Sequence, residues 1–188
     1  MKGVRTFIGI FPPPEIQSAV SQVQALLKDN NFRVRWEIEN KFHVTLKFLG
    51  NILPAQGEQI QSLLMDAGRS VARFEVRLTR VGCFPTVEAP KIVWIGSGRE
   101  ENAPLTECSG IVDRLCISAG HKKEERAFLP HMTLGRAKGK MSGTLIKRIE
   151  NTTFEPIQFL CTELLVMKSD LSPSGSAYSQ LFTIPLKQ

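Results

Sequence analysis

The sequence has 188 residues, 42% hydrophobic and 22% charged, and its 24 Lys and Arg against 18 Asp and Glu give a net charge of +6. This composition is that of an ordinary globular protein, which excludes intrinsic disorder and collagen-like structure. Charges and prolines interrupt every apolar run before the roughly 20 residues of a membrane span, and the apolar run at 7–11 is too short for a signal peptide. We therefore expect a cytoplasmic protein without a membrane partner, whose positive charge permits a polyanionic partner without identifying one.

The chain contains four cysteines, which are Cys83, Cys108, Cys116 and Cys161. Two disulfides are possible by number, but the spacing shows neither a CxxC pair nor a zinc-finger pattern. Because the protein is expected to stay in a reducing compartment, we predict four free thiols.

The predicted elements alternate between strands and helices. Alternating apolar residues predict strands, and apolar residues three and four positions apart predict helices. In chain order these are a strand at 6–11, a helix at 15–28, a strand at 42–49, a helix at 54–71, strands at 74–83 and 91–95, a helix at about 103–119, a strand at 132–136, a short helix near 143–149, and strands at 157–167 and 178–186. No long linker divides them, so residues 1–188 are predicted to form a single α+β domain.

The order of elements repeats after about half of the chain. Residues 7–49 give a strand, a helix, a loop and a strand with His-Val-Thr-Leu, and residues 92–136 give the same series with His-Met-Thr-Leu. The motif histidines, His43 and His131, lie 131 − 43 = 88 residues apart. We interpret this as an internal repeat of approximately 7–90 and 91–186. The alternative is that any α+β chain can be cut into similar blocks.

Each His-x-Thr motif lies on a predicted strand, which determines the direction of its side chains. Side chains at alternate positions of a strand share a face, so His43 lies beside Thr45, and His131 beside Thr133. The residues between them are apolar and predict a buried opposite face. If the two halves are related by a twofold axis, both pairs converge on one cleft. The alternative for each histidine is a buried, hydrogen-bonded position in the core.

Two imidazoles and two hydroxyls suit in-line hydrolysis of a phosphodiester. One imidazole acts as base on the attacking water and the other as acid on the departing alkoxide, while hydroxyl groups bind the non-bridging oxygens. The sequence contains no metal-binding motif, so we expect neither a metal nor another cofactor. A zinc site of all three histidines is a minor alternative, because His121 lies in a charged loop and is predicted to be solvated.

Four segments of the chain form an ordered series of motifs. They are Val34-Arg35-Trp36 through Gly50 with the first motif, Gly82-x-Phe84-Pro85 through Gly96, Arg126-x-Phe128-x-Pro130-His131-x-Thr133-Leu134-x-Arg136, and Ser169-x-Leu171-x-Pro173-x-Gly175-x-x-Tyr178. This series resembles the two-histidine (2H) phosphoesterase superfamily, in particular its RNA 2′,3′-cyclic phosphodiesterase branch, historically called 2′-5′ RNA ligase. The resemblance covers nearly the whole chain. It implies a bilobal α+β fold in which antiparallel sheets line a central cleft and helices lie outside.

The resemblance also implies an activity, metal-free opening of a terminal 2′,3′-cyclic phosphate on RNA to a 2′-phosphate. His43 would protonate the O3′ leaving group and His131 would activate water, although the reverse assignment fits the sequence equally. Thr45 and Thr133 would bind phosphate oxygens. The remaining implied substrate-binding residues are Arg136, on the phosphate, and Phe48, on a nucleobase.

Partners and alternative functions follow from the same resemblance. The expected partners are RNA ends with a 2′,3′-cyclic phosphate, tRNA fragments among them, and the protein is expected to be a monomer. The alternatives are a 2′-5′ RNA ligase, another 2′-5′ or cyclic phosphodiesterase, and a non-catalytic RNA-binding module.

Strand alternation conflicts with two of the implied substrate contacts. In a regular strand Arg136 lies on the core-facing side, so it reaches the cleft only past the strand end or after a bulge. Phe48 shares the parity of Val44, which favours core packing at least as strongly as base stacking. Packing in the core is also expected for Trp36 and Trp94. For Tyr178 the sequence does not decide between core packing and a contact with the substrate.

Basic residues cluster around both motifs and can be an approach surface for RNA or ordinary solvated faces. They are Arg33, Arg35, Lys41 and Lys47 near the first motif, and Arg136, Lys138, Lys140, Lys147 and Arg148 near the second.

Overall fold

The computed structural model describes residues 3–29, 32–86, 91–139, 143–172 and 175–188. Its strands are β1 (Val4–Ile10), β2 (Val34–Trp36), β3 (Val44–Ile52), β4 (Phe74–Leu78), β5 (Arg80–Phe84), β6 (Ile92–Gly96), β7 (His131–Ala137), β8 (Ile157–Cys161), β9 (Glu163–Ser172) and β10 (Gly175–Pro185). Its α-helices are α1 (Pro14–Leu27), α2 (Pro54–Gly68), α3 (Ala103–Ser118) and α4 (Gly143–Asn151), and a short 3₁₀ helix spans Glu39–Lys41.

Eight strands form one sheet in the order β10-β9-β1-β3-β7-β6-β5, with β2 also paired to β7, while β4 and β8 form a separate two-stranded sheet. The two halves of the large sheet meet where Val44 of β3 pairs with Met132 of β7. We call this contact the central seam. Outward from it, β1 and β9 follow β3 as β6 and β5 follow β7. The predicted α+β class with antiparallel strands is confirmed, and the sheets of the two halves are joined at the seam.

The predicted strands at 74–83 and 157–167 are wrong in one respect, since each is two strands. Their first parts, β4 and β8, pair with each other, whereas β5 pairs with β6, and β9 pairs with β1 and β10. Residues that favour strands continue through Thr79 and Thr162, so no local signal marks the change of partner. The three-residue β2 is too short to be predicted from alternation.

The helices cover one face of the large sheet. Three of them carry proline in the first turn, where the missing N–H is not needed. Val20 and Leu27 of α1 join Ile8, Val44 and Met132 in one buried apolar cluster. Burial of these side chains supplies most of the driving force for folding and leaves the opposite face of the central strands for the motif histidines.

All four cysteines are buried and none forms a disulfide, as predicted. Burial raises the pKa of Cys108 and Cys161 to about 12, so neither is a thiolate near neutral pH. Among the described residues, no helix is both long and apolar enough to cross a membrane.

Candidate active site

Both motif histidines lie beside the central seam. His43 directly precedes Val44, and His131 directly precedes Met132, the two residues that pair across the seam. Val44 and Met132 are fully buried toward the helices, so strand alternation directs both histidines to the other face of the sheet. His131 lowers the pKa of His43 through charge repulsion, which reflects their proximity.

The two imidazoles are held in the same way. Nδ1 of His43 lies 2.7 Å from the carbonyl oxygen of Lys41, and Nδ1 of His131 lies 2.8 Å from that of Leu129. Because a carbonyl oxygen only accepts hydrogen bonds, Nδ1 of each ring is the nitrogen that donates. In the neutral form each histidine is therefore left with an unprotonated Nε2.

Both motif histidines are neutral at pH 7 in the unliganded protein. Burial lowers the pKa of His43 from 6.5 to about 4, the Lys41 carbonyl opposes this shift, and His131 and Arg136 add to it. Burial likewise lowers the pKa of His131 against the effect of the Leu129 carbonyl, and Arg136 lowers it further. A bound anion would raise both pKa values, because its charge stabilises an imidazolium.

The motif threonines follow on the same face. Thr45 pairs with Gly9 of β1, and Thr133 pairs with Trp94 of β6; both threonines are half-buried. At Gly9 a Cβ atom would lie only 2.8 Å from the carbonyl oxygen of Val44. This glycine lets β1 approach β3 closely beside the first motif.

A bulge in β7 determines the direction of Arg136. Between the pairs Val93–Gly135 and Trp94–Thr133 the register shifts, so Leu134 has no partner on β6. A bulge reverses the alternation of the residues that follow it, and Arg136 consequently lies on the histidine face. Arg136 therefore does not face the core, as it would if β7 were a regular strand.

The side chain of Arg136 is 46% exposed, and its Nε lies 3.6 Å from Oε1 of Glu37. Glu37 directly follows β2, whose residue Arg35 pairs with Arg136. The cation is thus held at the edge of the site with much of its donor surface accessible.

An equivalent bulge in β3 reverses two expectations. Leu46 is skipped between the pairs Ile8–Lys47 and Gly9–Thr45. Phe48 is consequently turned away from the core and is 56% exposed, with its ring 5.8 Å from that of Phe7. The expectation that Phe48 packs in the core is therefore wrong.

A regular strand would place Lys47 on the face of His43, but the same bulge turns it to the helix side, where it is only 4% exposed. Its Nζ forms a 2.5 Å ion pair with Asp113 of α3 and donates to the carbonyl oxygen of Lys122 at 2.6 Å. Lys47 is thus part of the packing between β3 and α3 and does not belong to an approach surface for RNA.

An aromatic cluster encloses His43. The ring of Phe11 is stacked on the imidazole at 5.0 Å, the ring of Phe7 lies at 4.9 Å, and the ring of Tyr178 meets it edge-on at 5.1 Å. Sequence reasoning missed Phe7 and Phe11, although their alternation with the buried Ile8 and Ile10 could have placed them on the histidine face. These rings exclude water from His43, which accounts for its strongly lowered pKa.

His131 has a smaller aromatic environment. Phe84 meets its ring edge-on at 4.9 Å, and Trp94 lies at 6.3 Å. Trp94 is 6% exposed, and Trp36 packs against the main core, so packing of both tryptophans is confirmed. Trp94 thus serves both packing and the site.

The basic residues predicted around the second motif and at the start of β2 differ in their surroundings. Arg148 pairs with Asp29 at 3.3 Å and lies 5.1 Å from the Phe32 ring, which ties α4 to the end of α1. Arg33 and Lys138 are exposed at the end of β2 and β7, close to Arg136. Lys140 lies outside the described residues.

The third histidine lies away from this site. His121 is half-buried next to α3, where its backbone N–H donates to the Cys116 carbonyl. Burial is the main cause that lowers its pKa, and the positive charge of Lys47 lowers it further. The predicted solvated position is therefore wrong. Within the described ranges, no three His, Cys, Asp or Glu side chains are grouped as a metal site would require.

The fold and the paired histidines define a phosphoesterase of the two-histidine class. The sequence matches the profile of the 2′-5′ RNA ligase superfamily over residues 12–173, and the chain belongs to this family. The RNA 2′,3′-cyclic phosphodiesterases of Methanothermobacter thermautotrophicus and Aquifex aeolicus are similar to it, at 26% and 27% identity over 182 and 183 residues. The alignments cover 95% of this chain in both cases, and 96% and 95% of these relatives.

Solved structures share the fold over the full length. E. coli LigT in its apo form has a TM-score of 0.79 at 21% identity, with 100% of both chains covered. The protein TT0787 of Thermus thermophilus has a TM-score of 0.75 at 21% identity, covering 97% of this chain and 98% of that one. At this identity the likeness concerns the arrangement of strands and helices.

Proposed function

We propose that the protein is an RNA 2′,3′-cyclic phosphodiesterase that opens a terminal cyclic phosphate to a 2′-phosphate without a metal ion. The observation that carries this proposal is the matched tethering of His43 and His131 by Nδ1 beside one seam, with Arg136 turned to the same face. The names of the relatives from Methanothermobacter and Aquifex support RNA as the substrate.

In the proposed reaction, water attacks phosphorus opposite O3′ and the P–O3′ bond breaks. Nε2 of His131 takes a proton from the water, and protonated Nε2 of His43 gives a proton to O3′. The exchanged assignment of acid and base remains the alternative. Each ring keeps its Nδ1 hydrogen bond throughout, so only Nε2 gains or loses a proton.

The substrate supplies the charge that the acid needs. Both imidazoles are neutral in the unliganded protein, and a bound phosphate anion favours protonation of one of them. Hydroxyl groups of Thr45 and Thr133 and the guanidinium of Arg136 would donate to the non-bridging oxygens as their charge increases. The exposed ring of Phe48 would stack on the terminal base.

We further infer that residues 1–188 act as one bilobal unit made of repeats at approximately 7–90 and 91–186. The mirrored strand order about the seam supports this. We propose a monomer that acts in the cytoplasm on RNA ends such as tRNA fragments, and four cysteines without a disulfide are compatible with a reducing compartment.

A second activity, 2′-5′ ligation, is favoured by the family to which the chain belongs. It is the same displacement with a different nucleophile, because a 5′-hydroxyl attacks the cyclic phosphate where water otherwise does, a P–O5′ bond forms and O3′ leaves. Product analysis with and without a 5′-hydroxyl RNA acceptor separates the two activities.

The central test is turnover of an oligonucleotide with a 2′,3′-cyclic phosphate in the presence of a chelator. His43→Ala and His131→Ala should each lower kcat by about 10²-fold or more, since each removes one proton-transfer group. His121→Ala is the matched control and should retain activity. Undiminished turnover in either motif variant contradicts the two-imidazole mechanism, and tight RNA binding without turnover by the unaltered protein would favour a non-catalytic module.

A further inference from the structure

Helix α1 carries a glutamine in its buried apolar face. Val20, Val23 and Leu27 are buried at helical spacing, and Gln24 lies among them with 1% exposure. An amide group in such a position is unfavourable unless its hydrogen bonds are made. The partners of Gln24 therefore indicate why an amide is present there.

Both donor hydrogens of this amide are used. Nε2 of Gln24 donates to the carbonyl oxygen of Leu134 at 2.8 Å and to that of Glu37 at 2.8 Å. The Leu134 carbonyl also accepts from the backbone N–H of Glu37 at 2.9 Å. One side chain of α1 thus ties together β7 and the segment that follows β2.

The two residues held by Gln24 are those that determine the position of Arg136. Leu134 is the bulged residue whose irregular pairing turns Arg136 to the histidine face. Glu37 carries the carboxylate that lies 3.6 Å from Arg136. Gln24 itself lies on the helix side of the sheet and can affect Arg136 only through these two residues.

The corresponding bulge in the first half is held differently. The residue matching Gln24 at the offset of 88 residues is Val112 of α3, which is buried and apolar. There the chain is fixed by Lys47, which pairs with Asp113. The buried amide of Gln24 therefore lies at the β7 bulge, which turns Arg136 to the histidine face. The β3 bulge forms without an amide at the matching position, so such a bulge does not by itself require one.

We propose that Gln24 is a positioning residue for Arg136, fixing the β7 bulge and Glu37 so that the guanidinium faces a bound phosphate. The proposal rests on the proposed function, in which Arg136 contacts the phosphate. The role is indirect: Gln24 does not touch substrate, and its removal should affect phosphate binding only as far as Arg136 mediates it.

The experiment is a double-mutant cycle of Gln24→Met and Arg136→Ala, with kcat/KM on a cyclic-phosphate oligonucleotide and the inhibition constant of inorganic phosphate as readouts. We expect Gln24→Met to lower kcat/KM and weaken phosphate inhibition by about tenfold. In the Arg136→Ala background the same change should cost less than about twofold, because its effect passes through the missing guanidinium. A loss of stability alone would not produce this dependence on Arg136.

The matched control is Asn102→Leu. Asn102 is also a fully buried amide, but its hydrogen bonds go to the backbone N–H and carbonyl of Arg77 on β4 and to the Ser97 hydroxyl, and not to Leu134 or Glu37. The Asn102→Leu substitution should lower the urea concentration at the midpoint of unfolding without changing the inhibition constant of phosphate. Gln24→Ala, in which water can replace the amide, gives the same comparison if Gln24→Met does not fold.

Two results overturn the inference and are distinguishable. If Arg136→Ala weakens phosphate inhibition but the Gln24 variants do not, or if the two effects are fully additive, Gln24 is not a positioning residue although the proposed function stands. If Arg136→Ala leaves both readouts unchanged, the phosphate contact itself fails, and the role of Gln24 fails with it.

Discussion

Phe48 and Arg136 occupy equivalent positions in the two halves of the fold. They are separated by the same 88 residues as the motif histidines, and each comes two residues after a bulged leucine, Leu46 or Leu134. Both bulges reverse the strand alternation and turn these side chains to the histidine face. An apolar ring therefore occupies one of these two positions and a cation occupies the other.

This difference between the halves matches the two parts of the proposed substrate. Phe48, which is 56% exposed, offers a flat apolar surface for a base, and the Arg136 side chain, which is 46% exposed, offers directed donors for a phosphate. The two bulged strands thus supply similar positions, and under the proposed function each side chain has a separate task.

Replacement of Phe48 should weaken binding of RNA more than it affects the chemical step. We expect Phe48→Ala to raise KM for a cyclic-phosphate oligonucleotide by about tenfold with little change in kcat, because base stacking on an aromatic ring contributes roughly 1–3 kcal/mol. Steady-state kinetics measure both constants. Leu171→Ala, at a side chain with 65% exposure, is the control for loss of an exposed apolar group. An unchanged KM in Phe48→Ala would show that the ring does not contact the base.

The pH dependence of turnover should reflect the lowered pKa values of the two histidines. The reaction needs one protonated and one neutral imidazole, a state whose population is greatest between their two pKa values. Since the pKa of His43 is about 4 and that of His131 is also below 6.5 in the unliganded protein, kcat/KM should be greatest below pH 6.5.

The profile of kcat should lie at higher pH than that of kcat/KM, because bound phosphate raises the pKa of an imidazole. Rates measured from about pH 4 to 9 at constant ionic strength test both statements. A kcat/KM maximum well above pH 7 would contradict the proposed protonation states.

Acid should destabilise the folded protein through His43. Its pKa is about 4 when folded, against 6.5 as the ordinary value, so the unfolded chain binds the proton first as the pH falls. The neutral imidazole thus contributes stability that is complete above pH 6.5 and is lost progressively toward pH 4, by about 3 kcal/mol. Urea unfolding at a series of pH values measures this slope.

His43→Gln should flatten the slope by about one proton, because glutamine does not titrate. The pH dependence of unfolding that remains in this variant reflects protonation of His131 and His121, whose pKa values are also lowered by burial. A slope identical to that of the unaltered protein would mean that His43 is not protected from protonation by folding.

The ion pair between Lys47 and Asp113 should be sensitive to loss of one partner. Lys47→Met leaves a carboxylate that is 20% exposed without its cation, and we expect a loss of about 3 kcal/mol in the free energy of unfolding. Adding Asp113→Leu should restore most of this loss, since two apolar residues need no charge partner.

Urea denaturation of the two Lys47 variants measures both effects. Arg69→Ala, at the exposed pair of Arg69 with Asp66, is the control and should cost less than about 0.5 kcal/mol. Equal losses at the buried and exposed pairs would show that Lys47 is not held by Asp113.

The sequence by itself determined the family, the α+β class, and the common face of each His-Thr pair. The family follows from the order of the four matching segments, and the common face of each pair follows from local alternation, which holds over the short stretch between His and Thr. The tertiary structure decided the direction of Lys47, Phe48 and Arg136, because a bulge exists only relative to a partner strand. The partners β1 and β6 are distant in sequence, so alternation within β3 and β7 could not reveal where Leu46 and Leu134 are skipped.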